Sequence, residues 1–132
     1  MIRRLAYVSR PRAGLPPSEI PKIVTASRIN NARIGICGVL VYTGTDFAQL
    51  IEGVPEDVEA LWHRIRTDDR HVDVTLLLDE QDTVPWFPEW RMGYLADRAL
   101  AARIAEWRTL QQGIEANSRG MLRRLLAAAD TM

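Results

Sequence analysis

The chain has 132 residues, 47% of them hydrophobic and 26% charged, and its seventeen basic and seventeen acidic side chains cancel to a formal net charge of zero. That length suits one domain able to bury a core, and the balanced charge lacks the electrostatic footprint of a protein that binds nucleic acid or an anionic membrane. Cys37 is the single cysteine, which excludes an internal disulfide, and with two histidines, His63 and His71, there is no metal-ligand spacing. Neither a signal peptide nor an apolar run long enough to span a membrane is present, so a cytoplasmic protein is expected.

In chain order, Ile2–Ser9 alternates at roughly period two, with Leu5, Tyr7 and Ser9 on one face and Arg4, Ala6 and Val8 on the other, and reads as a first strand. A Pro- and Gly-punctuated loop leads to a helix over Pro17–Asn30, with Ser18 as N-cap, Ile20, Ile23, Val24 and Ser27 on one stripe, and Asn30-Asn31 at its end. Gly35–Tyr42 and Phe47–Glu52, joined by Thr43-Gly44-Thr45, form a hairpin. Glu56–Asp68 carries Val58, Leu61, Trp62 and Ile65 on a second helical stripe, Val72–Leu78 is a fourth strand, a Gln-Asp-Thr-Val-Pro loop follows, and Trp90–Leu95 is a fifth strand. The order β-α-β-β-α-β-β, with two helices on one face of a mainly antiparallel sheet, is the ferredoxin-like α+β pattern. Beyond it, Leu100, Ile104, Trp107 and Leu110, then Met121, Leu122, Leu125 and Leu126, predict a pair of amphipathic C-terminal helices interrupted at Gly113. The expected division is residues 1–96 as the sheet domain and 97–132 as a helical cap, dimer interface or effector interface.

Gln49 is the anomaly in this pattern. It shares a strand face with Phe47 and Ile51, and burying its amide unpaired would cost on the order of 1–3 kcal/mol. In a ferredoxin-like sheet the first and third strands are central neighbours, so Tyr7 and Gln49 can satisfy one another; alternatively Gln49 bonds backbone and Tyr7 is a core aromatic with its hydroxyl at the rim. Asn30-Asn31 is at home as a helix end. Arg64 and Asp68, four apart, form a solvated pair or, beside the first helix, help line a slot for a planar ligand. Trp90 and Met92 share a face of the fifth strand, Cys37 reads as a small buried residue with no basic neighbour in sequence, and His71 as a surface residue. There is no glycine-rich phosphate loop, nucleophile elbow or carboxylate pair in an apolar run, so hydrolytic and phosphoryl chemistry lack support.

Taken in register, Tyr7 in LAYVSR, Asn30-Asn31 in NNARIGICGVLVY, Gln49 in FAQLIEG, HRIRTDDRH from His63 to His71 and FPEWRMGY from Phe87 to Tyr94 resemble the successive signatures of BLUF domains, blue-light sensors that use FAD. The resemblance runs from about Ile2 to Leu95. It implies a noncovalent FAD held by its isoalloxazine ring between the two helices, with FMN or riboflavin left open as substitutes because the nameable residues touch only the ring. It implies that Gln49 bridges Tyr7 and the flavin N5/C4=O edge, that Asn31 binds the polar edge with Asn30 in support, and that Arg64 and Asp68 reach the pyrimidine side. It further implies that blue excitation moves an electron and a proton from Tyr7 to the flavin and back, leaving Gln49 rotated or tautomerised with a stronger bond to the C4 carbonyl, and that the strand bearing Trp90 and Met92 passes the change onward.

On this resemblance the expected protein is a photoreceptor and not an enzyme, signalling to an effector protein of unknown identity and assembling as a homo-oligomer, with no nucleic acid or membrane as direct partner. Two departures stand out. Cys37 occupies a position where many relatives carry a small hydroxyl residue, and Trp86, in the Val84-Pro-Trp-Phe-Pro88 lead, competes with Trp90 for the place near Gln49, the family pattern favouring Trp90. The alternatives are a ferredoxin-like interaction module without flavin and a small acylphosphatase-like or flavin-dependent reductase domain; fold alone licenses neither activity.

Overall fold

The computed structural model describes residues 1–89 and 91–108. Its strands are β1 (Ile2–Pro11), β2 (Cys37–Tyr42), β3 (Phe47–Gly53), β4 (His71–Asp82) and β5 (Gly93–Ala96); its helices are α1 (Glu19–Ile34), α2 (Pro55–Thr67) and α3 (Ala101–Arg108), the last entered through a 3-10 turn at Arg98–Leu100. The sheet order is β4-β1-β3-β2-β5. Pairing is antiparallel for β1 with β3 and β4 and for β2 with β3, and β5 adds in parallel to β2, so the ferredoxin-like α+β sheet is mixed at that edge.

Strand alternation assigns the two faces. Leu5, Tyr7 and Ile51 pack with Val58 and Trp62 of α2, and Leu40, Phe47 and Met92 pack with Ile20 and Val24 of α1, which makes this the helix-covered front. Ala6, Val8, Val39, Val41, Ala48 and Leu50 point to the back, where Ile104 and Trp107 of α3 and Phe87 cover them. Close pairing of β2 with β3 depends on Gly38, on the front opposite Ile51, because a Cβ there would sit 2.4 Å from the Leu50 carbonyl oxygen.

Helix ends differ from the sequence expectation for local reasons. Ser18 makes no side-chain cap: of the amides a cap accepts from, that of Ile20 goes to the Pro17 carbonyl and Pro21 has none. Asn30-Asn31 does not end α1; the helix runs on to Ile34 and stops where Gly35 adopts φ 71°, its amide bonding back to Asn31 O. β4 extends through Asp82 and so absorbs Gln81 and Asp82 from the expected loop, while β5 starts at Gly93 and leaves Met92 just before it. Trp90, Leu110, Gly113 and the Met121–Leu126 stripe lie outside the described residues.

The back face also holds a buried charge centre. Arg4 and Glu52, fully buried, pair at 2.8 Å; Arg4 also reaches Glu80 at 2.8 Å, Asp82 at 3.1 Å and Val84 O at 2.9 Å, and its guanidinium lies 4.1 Å from the Trp86 ring centroid. The Glu52 carboxylate accepts in addition from the Trp86 and Phe87 amides, both at 2.8 Å. Burial pulls the guanidinium pKa down, yet its carboxylate partners hold it above the ordinary value. Arg3, one residue away, pairs at the surface with Asp79 at 3.0 Å and with Glu59. Arg4→Ala, which strands the Glu52 charge, is expected to cost about 3–5 kcal/mol in urea unfolding, whereas Arg3→Ala costs about 1 kcal/mol or less.

Candidate functional site

The β1–β3 ladder sets Tyr7 opposite Gln49 at the centre of the sheet, on the front face. Their side chains meet: the Tyr7 hydroxyl donates a hydrogen bond to Gln49 Oε1. The other end of the amide, Nε2, faces the Met92 sulfur at 3.6 Å. Tyr7 is fully enclosed, and burial first, then the negative Asp68, pushes its phenol well above the ordinary 10.0, so the hydroxyl stays protonated and can donate. Its ring is bracketed by Trp62 at 5.3 Å, tilted, and by His71 at 6.0 Å, edge-on.

Above this pair a cavity of about 240 Å³ opens between α1 and α2. Tyr7, Asn30, Asn31, Gln49, Arg64 and Asp68, the six ring-binding candidates of the sequence, all line it. Its apolar walls come from residues such as Ile23, Leu40, Phe47, Leu61 and Ile65. A slot that combines apolar walls with placed polar groups is what a flat heteroaromatic ring requires. The donor set fits a flavin ring: the Gln49 Nε2 group has only a weak thioether acceptor, and Asn31, whose Nδ2 donates to Arg91 O, keeps its amide oxygen as an acceptor on the cavity wall.

Several expectations are corrected by the geometry. Asp68 pairs with Arg70 and not with Arg64: it accepts from Arg70 Nε at 3.0 Å and from the Arg70 amide at 2.9 Å, and the side-chain bond holds its carboxyl below the usual carboxylate range. A tight turn after α2 brings position 70, not 64, onto the carboxylate. His71 is not a surface residue; it lines the cavity, its Nδ1 is 2.9 Å from Ser9 Oγ and its Nε2 is 2.6 Å from Ile65 O. A carbonyl only accepts, so Nε2 carries the proton.

Cys37 is absent from the cavity wall. Its thiol donates to Pro88 O at 3.2 Å, with Arg91 Nη1 at 3.7 Å, so it does have a basic neighbour, brought in from residue 91; burial still raises its pKa. Trp86 lies over Arg4 against the back core, leaving Met92 as the described residue that meets the Gln49 amide from the β5 side. Arg28, which sequence reasoning passed over, donates from Nε to Met92 O at 2.9 Å. Its spacing of three from Asn31 on one helix was the available signal.

Comparison with known proteins identifies a family. Residues 2–93 match the family described as BLUF, sensors of blue-light using FAD. The photoactivated adenylate cyclase subunit beta of Euglena gracilis is 31% identical over 93 residues, which is 69% of this chain and 11% of that protein. The blue light- and temperature-regulated antirepressor BluF of Escherichia coli K12 is 32% identical over 78 residues, 59% of this chain and 19% of that protein. The chain therefore spans only a small part of the length of these curated relatives. Among solved structures, the dark state of BlrB, a BLUF protein, superposes with a TM-score of 0.78 at 33% identity and 96% coverage of both chains. The photo-activated state of BlsA gives 0.82 at 26% identity, covering 100% of this chain and 99% of that one.

The elevated phenol predicts a pH effect with a definite sign. As pH rises through 10.0, unfolded chains release the Tyr7 proton while the native state keeps it, so stability is full below that value and declines above it. Urea midpoints measured across this range are expected to fall more steeply for the parent chain than for Tyr7→Phe.

Proposed function

Because the chain belongs to the BLUF family of blue-light sensors that use FAD, we propose that it is a blue-light receptor whose signal begins in the Tyr7–Gln49 hydrogen bond beneath the ring cavity. Flavin binding and signalling to partners are properties of the family; the described residues form a sensor domain and not a catalytic one, and among them no helix is long and apolar enough to cross a membrane. When bound, FAD supplies blue absorption and an acceptor for the electron and proton of the phenol. FMN or riboflavin would fill the same ring slot. Gln49 and Asn31 would hold the polar edge of the ring, Arg64 and Asp68 its pyrimidine side, with Asn30 in support.

The chain's own part is proton and dipole placement. Tyr7 keeps its proton and donates it in a hydrogen bond to Gln49 Oε1, and the amide is nearly symmetric in shape but opposite in polarity at its ends. Turning or tautomerising it exchanges donor for acceptor with almost no change in volume, in a site where an unmatched group costs about 1–3 kcal/mol. Met92, beside the amide, lies just before β5, a short route to α3; Trp90, two residues earlier in the sequence, is the other photoactive candidate. We assign residues 1–96 to sensing and 97–132 to an interface for an effector or for a second copy, in the cytoplasm; α3 on the back of the sheet supports this division of labour.

The observation that carries the reading is the buried phenol–carboxamide bond on the floor of a cavity lined by all six ring-binding candidates. An absorption spectrum of the yellow purified protein is expected to shift slightly and reversibly to the red under blue light, and the shift should vanish in Tyr7→Phe and in Gln49→Ala. A colourless protein with no affinity for added flavin, or bleaching to reduced flavin, would overturn it.

A further inference from the structure

We propose that Arg28 is a positioning residue that sets Met92 and, through it, the orientation of the Gln49 amide; the proposal deepens the sensor reading above and rests on it for its light-dependent part. Met92 is almost fully buried in the cluster of Ile20, Val24, Leu40 and Phe47, with its sulfur 3.6 Å from Gln49 Nε2. A thioether accepts hydrogen bonds but cannot donate, so it distinguishes the two ends of the amide: it favours NH₂ toward sulfur and leaves Oε1 to Tyr7. With the amide reversed, a carbonyl oxygen would meet sulfur lone pairs and the NH₂ would meet the phenol.

That preference acts only if the sulfur is held in place. Methionine is unbranched and flexible, and β5 begins its ladder one residue later, at Gly93 opposite Val39. Helix α1 supplies the missing restraint. Arg28 and Asn31, three apart and therefore on one helix face, take two consecutive carbonyls: Asn31 Nδ2 bonds Arg91 O and Arg28 Nε bonds Met92 O at 2.9 Å. The guanidinium bond is charge-assisted and partly buried, hence the stronger kind. Arg28 does not line the cavity and touches neither Tyr7 nor Gln49, so its action is through the Met92 backbone alone.

The test uses the full chain labelled with ¹³C at the methionine methyl groups. There are four methionines, and Met92→Leu assigns the relevant signal. In flavin-free and flavin-loaded protein kept dark, the Met92 methyl is expected to leave its parent position in Arg28→Ala and to return to it in Arg28→Lys, with urea midpoints separating displacement from unfolding. After blue light, the flavin-loaded Arg28→Ala protein should recover several-fold faster than the parent, as should Met92→Leu, and the double variant should add nothing. A Met92 methyl unmoved in Arg28→Ala, or a lysine variant as displaced as the alanine one, overturns the proposal. A parent protein with no light-induced shift would instead sink the sensor reading, while the dark methyl signals still decide the role of Arg28.

Discussion

The structure depends on one register, that of β1 against β3. Because successive side chains alternate between faces, the pairing of Tyr7 with Gln49 and of Arg4 with Glu52, three residues away on each strand, puts one polar pair on each side of the same two central strands. A slip of one residue in either strand would turn that strand's polar side chains to the opposite face and separate the members of both pairs. The two polar pairs therefore specify the register as well as occupying it. Each is costly when mismatched: an unpaired buried guanidinium or carboxylate is worse than an unpaired amide. Selecting one register out of several apolar alternatives is a credible use for groups whose net contribution to stability is otherwise small.

From this pair of strands the segment leading to β5 is fastened at both ends. Its first part is held at the back, where Val84 O and the Trp86 and Phe87 amides bond Arg4 and Glu52. Pro88 O receives the Cys37 thiol, and Arg91 and Met92 are held by α1 at the front. The same stretch thus touches the core under α3 through Phe87 and the Gln49 amide through Met92. Interiors are packed too tightly to absorb a displaced thioether silently, so a change at Met92 has an anchored strap along which to act. The far end of α3 is tied down as well: Arg108 pairs with Asp46 at 3.0 Å and bonds Asp73 O, where the backbone takes the positive φ of 54° unusual for a residue with a side chain.

Sensor function in this fold needs a cavity that accepts a planar ring and an interior that notices a change in hydrogen-bond polarity. The cavity is made by leaving the space between α1 and α2 unfilled at Ala26, Ser27 and Asn30, where longer apolar residues would close it. The proposed sensing element is cheap in volume and expensive in polarity, which is why a single amide would serve.

Much of this was legible in the chain itself. Period-two alternation, apolar runs and period-3.6 stripes located the strands and helices among the described residues, and a glutamine on an apolar strand face demanded a partner, for which the central-strand topology offered Tyr7 beside the backbone alternative. Spacing along the chain could not reveal contacts made across it. That Asp68 turns to Arg70 instead of Arg64, that His71 folds inward onto Ser9 and Ile65, that Trp86 lies over Arg4 and that Arg28 reaches the Met92 carbonyl all depend on which loops approach which helices. Local pattern dictates what a segment can form because its hydrogen bonds and apolar face are its own. Polar partners separated by 60 residues are chosen only when packing brings their backbones within reach and excludes the water that would otherwise satisfy them.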